Sequence, residues 1–150
     1  MALIGTKDRK TLEDLFSQRM KNDVTVTYFT QGESKLFIPG QECELCRETR
    51  QMLEEVTELS DHVHLEVKDF VRDGELAAEM GVTRIPAIVL QGKGKGQVRF
   101  FGIPSGYEFS TLIEDLFEVS SGQTTLSDKT RTALKDVNQP LHIQVFVTPT

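Results

Sequence analysis

An α/β fold, a mixed four-stranded sheet flanked by helices, is what this 150-residue chain predicts. Three observations carry that prediction. Short β-branched or apolar runs alternate with stretches whose apolar residues recur every three or four positions. Helical stretches separate the early strands, while the last two strands are joined by a glycine-rich turn, so the sheet combines crossover and hairpin connections. A hydrophobic content of 38% over 150 residues is enough for one principal core.

The elements follow in order. Residues 7–22 place Leu12, Leu15, Phe16 and Met20 on one helical face. Val24–Thr30 is β-branched and aromatic and reads as a strand. Residues 31–42 are a long loop holding an apolar knot, Leu36, Phe37 and Ile38. Those three side chains either pack on the domain or form an apolar lip near Cys43. Next comes a helix expected to start at Cys43 and to run to about Ser60, since Pro39 and Gly40 prevent an earlier start. Its buried face is Leu45, Thr49, Met52, Leu53, Val56 and Leu59. Residues 63–67 alternate as a second strand, 75–80 are a short helix closed by Gly81, and 85–90 are an apolar strand. Gly92, Gly94 and Gly96 form a hairpin turn leading to a partner strand at 97–102. They lead into no helix, so they are no phosphate cradle. Residues 107–119 carry Leu112, Ile113, Leu116 and Phe117 as a further helix.

Charge and composition narrow the function. A net charge of −6 argues against nucleic acid or an anionic membrane as partner. The first five residues are too short for a signal segment, and no apolar stretch approaches membrane-spanning length, so a cytoplasmic protein is expected.

The only two cysteines, Cys43 and Cys46, stand three positions apart at the predicted helix start. Unpaired backbone N–H groups and the helix dipole favour a thiolate there. Cys46 is near enough to attack a mixed disulfide formed at Cys43. Zinc wants four ligands, and neither this pair nor the scattered His62, His64 and His142 supplies them. A redox pair is therefore expected, with no metal and no cofactor. Glu42 and Glu44 flank Cys43 and disfavour its thiolate, which places the pair nearer a reductant than a strong oxidant.

Strand, Cys-x-x-Cys, helix, strand, helix, then Thr83-Arg84-Ile85-Pro86-Ala87 entering a hairpin, resembles the thioredoxin fold. The Ile85-Pro86 element is similar to the cis-proline loop that faces the active site in thioredoxins and glutaredoxins. Residues 99–106 look like the glycine-bearing end of the last strand. More closely, residues 1–122 resemble the N-terminal unit of the two-unit, glutaredoxin-like protein disulfide oxidoreductases. The resemblance implies a thiol–disulfide oxidoreductase that reduces, forms or isomerises protein disulfides. Cys43 would attack, Cys46 would resolve, and Pro86 would shape the site. Ile85, Glu44 and Leu45 would contact the substrate, with Ile85 lending its backbone to an extended chain. A flavin-dependent reductase is the expected electron donor. Three alternatives stay open: an electron-transfer module between a flavin reductase and a peroxidase, a glutathione-using glutaredoxin, and a non-enzymatic scaffold or metal-binding domain.

Thioredoxins also bury an aspartate beneath the cysteines, in a strand reading Val-Asp-Phe. Val26-Thr27-Tyr28 corresponds to it, so Thr27 replaces the acid and Glu66 on the next strand is expected to substitute.

Residues 123–150 extend the resemblance. After the Ser120–Gln123 linker, Ser127 looks like an N-cap, and Thr130, Leu134 and Val137 make an inner helical face. Leu141–Thr148 then alternates as a strand. Helix, Asn-containing break and strand repeat the pattern of residues 7–30, as in a second unit cut short. That strand is expected to add to a sheet edge, in its own domain or on a second copy as a homodimer.

Overall fold

Seven β-branched or aromatic residues form the central strand, and the rest of the fold is arranged around it. The computed structural model describes residues 3–32, 42–94 and 96–147. In chain order the elements are α1 (Thr6–Arg19), β1 (Val24–Thr30), α2 (Cys46–Thr57), β2 (Val63–Asp69), α3 (Gly74–Glu79), β3 (Ala87–Gln91), β4 (Val98–Phe101), α4 (Tyr107–Ser121) and α5 (Asp128–Leu134). The loop knot Leu36-Phe37-Ile38 lies outside the described residues.

Strand order is β2-β1-β3-β4, so the mixed four-stranded sheet is present. β1 and β2 run parallel, with Val24 opposite Val63 and Thr30 opposite Asp69. β3 is antiparallel to both β1 and β4. The pleat sends alternate side chains of β1 to opposite faces. Val24, Val26 and Tyr28 join a core with Phe16 of α1, Met52, Leu53 and Val56 of α2, and Leu112, Leu116 and Phe117 of α4. Phe29 joins the smaller opposite core with Ala77 of α3, Ala87 and Val89. Three helices therefore cover one face and α3 covers the other.

The glycine-rich turn is a hairpin connection. A side chain at Gly92 would stand 2.9 Å from Val119 Cγ1 and 3.0 Å from the Val119 carbonyl oxygen, so only glycine fits against the end of α4. The Gly94 N–H donates to that same carbonyl at 3.2 Å. The turn's donor is spent on the protein itself.

After Gly122 the structure differs from expectation. Ser127 caps α5, its side chain accepting the Thr130 N–H. The expected inner face stays in water, however, with Leu134 at 51% and Val137 at 46% exposure. Residues 141–147 form no strand and add to neither edge of the chain's own sheet. An extended segment without a neighbour has no partner for its backbone N–H and C=O groups, so alternation alone does not make a strand. No helix among the described residues is long and apolar enough to cross a membrane.

Candidate active site

The register of the sheet gathers several loop ends at one place. Phe29 pairs with Ala87, and Ala87 pairs with Phe101. The exit of β1, the entry to β3 at Pro86 and the exit of β4 at Gly102 therefore share one end of the sheet. Binding in open α/β sheets concentrates outside such carboxyl ends of parallel strands.

Cys43 and Cys46 are joined there in a disulfide, with their Cα atoms 5.4 Å apart. Cys43 is half-buried, whereas Cys46 is 6% exposed. The helix begins three residues later than the sequence suggests, at Cys46 rather than Cys43. Residues 43–45 form a tight turn instead, closed by the Cys46 N–H donating to the Cys43 carbonyl at 3.2 Å. The N-cap residue, Leu45, has no side-chain acceptor to draw the helix further back. Cys43 thus sits just ahead of the helix and Cys46 is its first residue.

Two groups of β1 and its exit hold this turn. The Tyr28 hydroxyl donates to the Cys46 carbonyl at 2.7 Å, and the Cys43 N–H donates to Gln31 Oε1 at 2.7 Å. Tyr28 is fully buried, and burial raises its phenol above the ordinary value. The neighbouring Thr30 and Thr49 hydroxyls oppose that rise more weakly. Thr49 is itself fully buried and donates its hydroxyl to the Leu45 carbonyl at 2.8 Å.

Around the disulfide, Glu44 is exposed and Leu45 is 42% exposed. The Ile85–Pro86 peptide bond is cis. Pro86 is buried, and its carbonyl accepts the Gly102 N–H at 2.9 Å. Gly102 has φ +100°, a conformation that favours glycine. Ile85 is half-buried and packs on the α3 side of the sheet. Next to it, the Arg84 guanidinium lies 4.8 Å from the centre of the Phe101 ring.

Glu66 is not brought to the cysteines. Its neighbours Val63 and Leu65 belong to the core beneath α2, so the pleat turns Glu66 to the opposite face. It is exposed on the outer strand and ion-paired with Lys68 at 3.0 Å. Thr27, its register partner, also faces away from α2, and the side chain of β1 beneath Cys46 is Tyr28. The sequence alignment with Val-Asp-Phe is thus one residue out of step with the face that matters. The apolar partners Val26 and Val24, two and four positions back, are the signal that would have singled out Tyr28. Nothing in the sequence marks Gln31. At the far end of the sheet, His62 Nδ1 stands 2.8 Å from Asp23 Oδ1 and His64 is exposed, well away from the sulfurs.

The thioredoxin-domain family model matches residues 34–114 of this chain. Among solved structures, a protein disulfide oxidoreductase from Aeropyrum pernix K1 is similar with a TM-score of 0.72 at 26% identity, over 89% of this chain and 55% of that one. The NTD_N/C domain of alkylhydroperoxide reductase AhpF from Enterococcus faecalis gives a TM-score of 0.70 at 22% identity, over 85% of this chain and 58% of that one. This chain therefore spans little more than half the length of either structure. No curated protein matches it.

Proposed function

The chain belongs to the thioredoxin-domain family, and on that premise we propose that it is a thiol–disulfide oxidoreductase working through Cys43 and Cys46. The observation that carries this is the asymmetric disulfide at the gathered strand ends: Cys43 is half-buried, whereas Cys46 is buried as the first residue of α2. In the reducing direction, the Cys43 thiolate attacks a substrate disulfide. A Cys43–substrate disulfide forms, the substrate S–S bond breaks, and the departing thiolate takes up a proton. The Cys46 thiolate then attacks the Cys43 sulfur, forming the Cys43–Cys46 bond and expelling the second substrate thiolate. Two electrons pass to the substrate, and the pair is left oxidised as in the structure. Run backwards, the same steps oxidise or rearrange dithiols.

Protein disulfides are the proposed substrates. Leu45 and Glu44 are exposed beside the sulfurs, and Ile85 flanks the buried Pro86, so these residues form the contact surface. A flavin-dependent reductase is the proposed electron donor, because re-reduction of the pair needs two electrons delivered to a disulfide. A reducing compartment such as the cytoplasm suits a pair that cycles in this way.

Insulin reduction tests the reading, with the Cys43→Ser and Cys46→Ser variants beside the unaltered chain. Turnover should vanish in both variants, and Cys46→Ser alone should trap a stable mixed disulfide. Turnover by Cys43→Ser would overturn the assignment.

A further inference from the structure

We propose that Tyr28 is a positioning residue for the second half of the exchange: its hydroxyl holds Cys46 where it can attack the mixed disulfide at Cys43. The inference rests on the redox function proposed above and names a residue that this function alone does not require.

The two ends of the cysteine turn are held differently. Cys46 is anchored from below by a fully buried phenol on the central strand, paired in register with Val67 on one side and Ile88 on the other. Cys43 is anchored at its amide by Gln31, past the end of that strand and at an exposed site. Opening the disulfide leaves both anchors in place, because neither uses a sulfur. The end that must reach out to a substrate is thus held from the rim, and the end that must stay is held from the core.

The chemistry of the anchor suits a donor. Burial keeps the phenol protonated, so Tyr28 offers a hydrogen and cannot take one from Cys46 as a base. The buried polar side chains among the described residues are Thr27, Thr49 and Ser120, with no carboxylate among them. Thr49 is the one on α2, directly above Tyr28, and it binds the turn again at the Leu45 carbonyl. The resolving cysteine is therefore held by a neutral hydroxyl pair. In the resolving step the Cys46 sulfur bonds to the Cys43 sulfur, the Cys43–substrate bond breaks, and the substrate leaves as a thiolate. Tyr28 takes no part in the bonds that change and fixes the distance over which they do.

A chromogenic aromatic disulfide separates the two steps in stopped flow. The first equivalent of coloured thiolate reports attack by Cys43, and the second reports resolution by Cys46. Tyr28→Phe keeps the ring and the packing and removes the hydroxyl. The second phase should slow about fivefold, the scale of one buried neutral hydrogen bond, while the first keeps its rate. A thermal melt confirms that the variant is folded. A Thr49→Val variant, which removes the other hydroxyl, should slow the second phase to a smaller extent. An unchanged second phase in Tyr28→Phe, or equal slowing of both phases, would overturn the proposal. The readout uses no protein substrate, so failure of insulin reduction and failure of the Tyr28 assignment are separate results.

Discussion

Residues 6–122 and residues 123–147 use the same vocabulary of alternating and helically spaced apolar side chains, yet they differ in what those side chains touch. In the first region Phe16, Tyr28, Leu53, Ile88 and Leu112 are all within 1% of complete burial. In the second, Leu141, Ile143, Val145, Phe146 and Val147 are between 68% and 89% exposed. Amphipathic pattern states which face wants to be buried; it does not supply the surface that buries it. The first region closes because four strands and four helices offer one another complementary faces. The second holds one seven-residue helix with no buried residue. A helix that short does not persist in water through propensity alone.

The contrast is sharpest in the core. Leu53→Ala, on the inner face of α2, should cost about 3 kcal/mol through lost burial and the cavity it leaves. Phe146→Ala removes a larger side chain, yet should move stability by less than about 0.5 kcal/mol, because it leaves water for water. Denaturant titration of the two variants measures both. Comparable losses would mean that the second region is packed against something that the exposures do not reveal.

A polar contact within the first region gives the next largest effect. The fully buried Ser120 hydroxyl accepts the Lys21 and Asn22 N–H groups at 3.0 and 2.9 Å and donates to the Asn22 carbonyl at 2.7 Å. It staples the end of α4 to the turn before β1. Ser120→Ala leaves two part-buried donors without their acceptor, and the expected cost is about 2 kcal/mol. Ser127→Ala removes the cap of α5 in the second region and should leave the melting temperature of the redox domain unchanged. Thermal melts of the two serine variants make the comparison, and equal losses would break it.

A smaller effect depends on pH. Burial, then the charges of Glu118 and Glu114, raises the Asp115 carboxyl above its ordinary value of 3.8. The folded state therefore binds this proton more tightly than the unfolded chain does. The stability it contributes is present below pH about 4 and is lost as pH rises through the folded value. Asp115→Asn should accordingly stabilise the protein at neutral pH, with the gain fading as pH falls toward 4. Melting temperatures of both proteins across that range check the sign, and a gain that grows on acidification would refute it.

Much of the first region was legible because local pattern and tertiary fit agree there. β1 is found at Val24–Thr30 as read, and β2 extends the expected 63–67 by two residues to Asp69. The Cys43–Cys46 pair and the Pro86 loop were found from spacing and resemblance together. What was not legible depended on three-dimensional phase. The start of α2 moved because a hydrogen-bonded turn outcompetes helix at residues 43–45. Glu66 and Thr27 were placed on the wrong face because an alignment to a family motif counts residues, whereas a pleat counts parity. Alternation predicts a strand over Leu141–Thr148, yet residues 141–147 form none, because alternation is necessary for a half-buried strand and insufficient without a neighbour.

The smallest expected effect on stability separates the two regions outright. A chain ending at Gly122 should melt at the same temperature as the full chain and keep the Cys43–Cys46 activity, since residues 123–147 are all solvent-exposed. Association should change instead. Ile143, Val145 and Val147 fall on one side of an extended segment, His142, Gln144 and Phe146 on the other, and the outer strand β2 presents a seven-residue edge of matching length. Exposed apolar β-segments and open edges pair across molecules, the backbone supplying the hydrogen bonds and alternate side chains the fit. The full chain should therefore elute earlier as its concentration rises, while the shortened chain stays monomeric. A charge placed at the centre of the segment, Val145→Lys, should return the full chain to monomer without touching the redox domain. If full and shortened chains run as monomers across a wide concentration range, the exposed segment is not a pairing surface between copies.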